Sequence, residues 1–159
     1  MLFTYINLPN LVADYKANWE YYEKMCESSS SLTYPVHAVA AIDNSEFEKF
    51  YDYWYKSVAI DIIDLHNEAH LGLHAAAMAG GWVGIFRGLF GFKPELEYLE
   101  VAPKYFEKWN KVTINFYYQE KKVTATLEKE SLEIISKGKI KIKYKDAYHL
   151  HENYSKFKI

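Results

Sequence analysis

The stretch NEAHLGLHAAAMAGGW, Asn67–Trp82, runs from a polar, histidine-bearing start into small residues, a glycine pair and a tryptophan. Its apolar character continues to Leu89, so a helix is expected over Gly72–Leu89, interrupted by polarity only at Arg87. A helix without a polar face is expected to be buried all round. Gly80, Gly81, Gly84 and Gly88 within it each cost about 1 kcal/mol of helix propensity relative to Ala, which close approach of neighbouring helices would offset. Too few other helices are present to enclose such an element, so exposed apolar surface is expected on this half.

Outward from this stretch, the hydrophobic period changes once. Leu11–Lys24 reads as an amphipathic helix after Pro9, and Leu32–Ala41 as a short apolar helix that the preceding serines can cap. Ser45 with Glu48 reads as a capping box opening a helix to about Ile63. Beyond Pro94 the period becomes two. Val112, Ile114 and Phe116 alternate with polar neighbours, Val123, Ala125 and Leu127 share one face, and Ile140, Ile142 and Tyr144 alternate with lysines. These are half-buried antiparallel strands with a solvated face, and the lysines discourage edge pairing. Helices followed by strands define an α+β chain or two segregated units, with a helical part over residues 1–92 and a small sheet domain over 93–159.

The 159 residues suit about one domain. The formal charge of −2 gives no footprint for nucleic acid or an anionic membrane. The single cysteine, Cys26, permits no internal disulfide, which fits a reducing, cytoplasmic setting. The start, MLFTYINLPN, lacks a basic leader and is too short to span a membrane; its abrupt apolar opening leads us to expect sequence upstream. The 15 tyrosines suit buried interfaces and sugar-stacking surfaces equally.

Two groups could carry chemistry. His66, His70 and His74 are four apart and would share a helix face suited to a metal, but Gly72 breaks the interval and the order is not His-Glu-x-x-His. No metal site is therefore assigned. Ser28–Ser31 is either a solvated loop or an anion site, since hydroxyls and loop amides ahead of a helix can hold phosphate. His74, opening the next apolar helix, could form a second wall, its ring donating whether neutral or charged. The pairs Asp61/Asp64 and Glu20/Glu23 read as solvated helix charge.

NWEYYEK (18–24), SSSSL (28–32), PVHAVAA (35–41), GLHAAAMAGGW (72–82), FRGLFGF (86–92), LEVAPK (99–104) and WNKVTINFYYQEKKVTATLEK (109–129) occur in that order. Together they resemble the C-terminal end of family 65 glycoside hydrolases, which include maltose, trehalose and kojibiose phosphorylases. The resemblance covers roughly Leu8–Ile135. It implies the last helices of an (α/α)6 barrel followed by a small C-terminal β-sheet domain. It also implies a phosphate site made by Ser30, Ser31 and His74, with small residues letting an inner helix pack and Trp82 filling the space beyond the glycines. The implied chemistry is inverting phosphorolysis of an α-glucoside to β-glucose 1-phosphate. A glutamic acid protonates the glycosidic oxygen while phosphate attacks from the opposite face. Inorganic phosphate is then the co-substrate, a disaccharide the substrate, and no cofactor is needed.

The chain also departs from the family pattern. No residue matches the general-acid glutamate, and Glu23 and Glu68 are not promoted to that role, so no catalytic residue is assigned and the chain is expected to be inactive alone. Ser28 and Ser29 stand where His-Asp is usual; Glu68, Ala69 and Leu71 replace an Asn-Thr-acidic segment; and QEKK replaces a glycine-containing turn. The expected partner is the missing N-terminal part of the enzyme or a second copy. The alternatives are a non-catalytic carbohydrate-binding or interaction module and a piece of a family 65 hydrolase.

Overall fold

Residues 15–26 and 30–159 are described by the computed structural model. Residues 11–14, where the first helix was expected to start, and Ser28 and Ser29 lie outside them. Contacts divide the chain into two units, one up to Gly88 and the other Leu89–Ile159. Among the described residues the helices lie in the first and the strands in the second, the α+β order that the change of period predicts.

Helix α1, Tyr15–Tyr22, ends in a 3₁₀ turn at Glu23–Met25. It is anchored by Trp19, which is buried and donates its indole N–H to Glu46 Oε1 at 2.8 Å. Helix α2, Thr33–Asp43, buries Tyr34, Pro35 and His37–Ile42. It, rather than the helix after Gly72, is covered nearly all round.

Ser45 does not open the next helix. It adopts φ 63°, and its N–H donates to Ile42 O while that of Glu46 donates to Ala41 O. These are the paired bonds that close a helix C-terminus on a left-handed residue, so Ser45 terminates α2 instead of capping its successor. Helix α3 is Phe47–Ala59, preceded by Glu46. It stops short of the expected Ile63: Leu65 N–H donates to Ile60 O at 3.0 Å and Asp64 takes φ 45°. Residues 60–65 therefore form turns.

Helix α4 is Ala75–Val83 and widens into a π-helical stretch, Gly84–Leu89. Gly72, at φ 137°, breaks the chain ahead of it, so it begins three residues later than the expected start. Its small residues do admit close neighbours. A Cβ on Gly80 would lie 2.5 Å from Pro35 Cβ of α2, and one on Gly81 would overlap Val58 of α3. Ser57 Oγ donates to Ala77 O at 2.5 Å, and the Trp54 indole to Gly81 O at 3.1 Å. Burial is nevertheless one-sided. Ala77 and Gly81 are inside, while Leu71, Leu73, Met78 and Trp82 are exposed. Trp82 thus stays at the surface against Phe86, with ring centroids 6.2 Å apart, and does not fill an interior space.

The second unit holds two four-stranded sheets. The first has the order β1 (Lys93–Pro94), β2 (Leu99–Val101), β6 (Ile140–Tyr144), β7 (Ala147–His151). The second has the order β3 (Lys111–Tyr118), β4 (Lys121–Glu128), β5 (Ser131–Ser136), β8 (Tyr154–Lys158). All pairings are antiparallel except β2 with β6, which is parallel. Val123, Ala125, Leu127, Ile140 and Ile142 are buried as their alternation predicts. The rings of Tyr144 and Phe157, 5.0 Å apart, join the two sheets. Among the described residues no helix is long and apolar enough to cross a membrane.

Candidate functional site

His74 sits at the residue immediately before α4, where the break at Gly72 lets the chain turn and start the helix. Its backbone N–H donates to Asp61 Oδ2 at 2.8 Å. Its ring Nδ1 lies 2.6 Å from Asp61 Oδ1. One carboxylate therefore holds both the backbone and the side chain of this residue. The Asp61 side chain is only 8% exposed and that of His74 21%, so water competes little for the pair. Glu68 Oε2 stands 3.6 Å from the other ring nitrogen, Nε2, on a half-exposed side chain.

The electrostatics follow this geometry. The hydrogen bond to Asp61 is the main reason the His74 pKa is raised, opposed by desolvation and assisted by the charges of Asp61 and Glu68. The same hydrogen bond lowers the Asp61 pKa.

His66 lies beside this pair. Its ring centroid is 6.4 Å from that of His74. On its other side it stacks on Tyr34 at 5.8 Å, with Nε2 hydrogen-bonded to the Tyr34 hydroxyl at 3.2 Å. Tyr34 is in the first turn of α2 and packs with Ile60 and Ala77 in a small buried cluster. Ser30 and Ser31 lead into that same turn, Ser30 O accepting from the Thr33 N–H at 2.9 Å. Ser30 is exposed and Ser31 half-buried. A line of contacts thus runs from the start of α2 through Tyr34 and His66 to His74.

His70 does not join this line; it lies exposed in the 3₁₀ turn Ala69–Leu71. The three histidines therefore do not share one helix face, and among the described residues no group of three or more His, Cys, Asp or Glu side chains could hold a metal ion. Asp61 is not the solvated helix charge expected of it: with α3 ended at Ala59, it falls in a turn and binds His74. Glu23 is likewise engaged, accepting from the Tyr53 hydroxyl at 3.0 Å and pairing with Lys49 at 3.3 Å.

Residues 3–83 match the glycosyl hydrolase family 65 central catalytic domain. The chain belongs to this family. It is 44% identical over 127 residues to the 3-O-alpha-D-glucosyl-L-rhamnose phosphorylase of Lachnoclostridium phytofermentans, covering 80% of this chain and 17% of that protein. It is 29% identical over 117 residues to the alpha,alpha-trehalose phosphorylase of Thermoanaerobacter brockii, covering 74% and 15%. It is 29% identical over 137 residues to the kojibiose phosphorylase of Caldanaerobacter subterraneus subsp. tengcongensis, covering 82% and 18%. The chain therefore spans less than a fifth of the length of these relatives. A solved structure described as a candidate kojibiose phosphorylase from the human microbiome superposes with a TM-score of 0.83. It covers 91% of this chain and 22% of the other, at 20% identity, and shows that the fold is shared.

Proposed function

We propose that this chain is the phosphate-site portion of an inverting family 65 disaccharide phosphorylase. The observation that carries the reading is the Asp61-held His74 at the start of α4, within a chain whose named relatives above are phosphorylases. In this reading Ser30 and Ser31 supply hydroxyl donors and His74 supplies its ring. Phosphate is already anionic, so it needs positioning more than deprotonation, and donors fixed before the reaction provide that.

In the reaction, a phosphate oxygen forms a bond to the anomeric carbon of an α-glucoside as the glycosidic C–O bond breaks. The leaving sugar oxygen takes its proton from a carboxylic acid, and the products are β-glucose 1-phosphate and the free sugar. No residue of this chain matches that acid. The acid therefore comes from an N-terminal portion of the enzyme, which a second copy of this chain cannot replace, and in this reading the enzyme works in the cytoplasm. Phosphate is a co-substrate, and no cofactor takes part.

Calorimetric titration of the chain with phosphate tests the reading. Binding at millimolar phosphate that disappears when Ser30→Ala and Ser31→Ala are combined, and again with His74→Ala, is the expected result. Wild-type chain that takes up no phosphate overturns it. The chain alone is expected to release no glucose 1-phosphate from maltose, trehalose or kojibiose, and clear release would refute the missing-acid part.

A further inference from the structure

We infer that Asp61 is a positioning residue that fixes the His74 tautomer, so that the outward nitrogen of His74 can hold an anion only as an imidazolium. The inference rests on the phosphate-site reading above for its role, but its structural core does not need phosphate to be bound.

An ionised carboxylate has no proton to give. Both Asp61 oxygens are engaged by His74, one by the backbone N–H and the other by Nδ1. Nδ1 must therefore carry the proton, and a neutral imidazole has only one. Nε2 of the neutral ring is then an acceptor, which repels an anion. A second proton on Nε2 turns it into a charge-assisted donor. On this inference the neutral ring does not donate to an anion from Nε2, contrary to the expectation drawn from the residue type alone. The two-point grip also opposes flipping of the ring, because the backbone amide keeps the carboxylate in place and a half-turn about χ2 would set a carbon-bound hydrogen, not Nδ1–H, against Oδ1. Asp61 holds His74 as the aspartate of a catalytic triad holds its histidine, by orientation and tautomer.

The groups facing the ring from each side agree with this role. Asp61, from the turn after α3, meets Nδ1. Glu68, from the segment before α4, stands 3.6 Å from Nε2. His66 lies at 6.4 Å and is held by Tyr34 of α2. Both carboxylates favour the protonated ring. Glu68 occupies the direction an anion would use, and it lies on an exposed side chain that can yield.

The test reads the nitrogen resonances of the His74 ring in the full chain by two-bond proton–nitrogen correlation, without phosphate. At a pH above its titration, the wild-type ring is expected as the Nδ1–H tautomer; the Nε2–H tautomer overturns the inference with no variant needed. In Asp61→Asn the titration midpoint of His74 is expected to fall, and in Asp61→Glu to recover in part. A midpoint that does not move in Asp61→Asn, in a protein whose other resonances keep their native dispersion, also overturns it. Should tautomer and midpoint behave as expected while millimolar phosphate leaves the ring untouched, the phosphate reading fails and the positioning role of Asp61 stands.

Discussion

The carboxylate of Asp61 accepts from both the main chain and the ring of His74, at 2.8 and 2.6 Å. The two pKa values move in opposite directions, His74 up and Asp61 down. The His74 contribution to stability is complete below the unfolded histidine pKa and is lost as pH rises through its raised folded value. The Asp61 contribution is complete above the unfolded carboxylate pKa and is lost as pH falls through its lowered folded value. Both are fully present only between about pH 4 and about pH 6.5. Asp61→Asn should therefore cost the helical unit more stability near pH 5.5 than near pH 9, read by denaturant unfolding at the two values. An equal cost at both would show that the pair is uncharged or unformed.

Glu68 should weaken anion binding. A carboxylate 3.6 Å from His74 Nε2 repels any anion placed there. Because the Glu68 side chain is half-exposed, water and salt screen most of that repulsion. At a pH low enough to keep His74 protonated in both forms, Glu68→Gln should tighten phosphate binding about two- to fivefold, more at low salt than at high. Calorimetry showing unchanged or weaker binding would place the anion elsewhere.

Gly81 should tolerate no side chain. A Cβ there would overlap Val58 Cγ1, and Ser57 Oγ lies 3.8 Å away. Overpacking of this kind costs about 1–3 kcal/mol, against a helix-propensity gain of about 1 kcal/mol for Gly→Ala. Gly81→Ala should lower stability on balance, and adding Val58→Ala should recover part of the loss. A stabilised single variant would mean that α3 and α4 do not approach so closely.

Glu120 should be improved by glycine. Gln119 and Glu120 form the two-residue turn between β3 and β4, with φ 49° and 61°. Left-handed backbone costs an ordinary residue about 1–2 kcal/mol, and two-residue hairpins of this hand favour glycine at the second position. Glu120→Gly should stabilise the sheet unit by about 0.5–1 kcal/mol after the entropy cost of glycine. Gln119→Gly should gain less, because the Gln119 amide donates to Leu96 O at 2.7 Å. Thermal unfolding of both variants checks the order.

What could be read from the sequence depended on whether a local pattern carried the information. Strand β4 was legible because Val123, Ala125 and Leu127 face the core while their neighbours meet water. Strand β5 blurs that period by placing Ile134 inside and Ile135 outside, and β7 exposes all but His151. The parallel pairing of Leu99–Val101 with Ile142–Tyr144 joins segments far apart in the chain, which no local period encodes. Composition marked two apolar helices, but only packing decides that α2 is enclosed and α4 is not. Ser45 carries letters that serve a helix start as well as the left-handed end of the preceding helix, and the latter won. In the candidate site, Ser30, Ser31 and His74 were marked by type and by resemblance. Asp61 was missed because its role depends on α3 stopping at Ala59, which frees the carboxylate to reach across to His74.

The most direct test of the phosphate-site reading is the His74 ring signal of the full chain during a phosphate titration at a pH where the ring is protonated. A saturable shift at millimolar phosphate is expected, absent when Ser30→Ala and Ser31→Ala are combined. A wild-type ring that does not move, or one that moves equally in the doubly substituted chain, would contradict it.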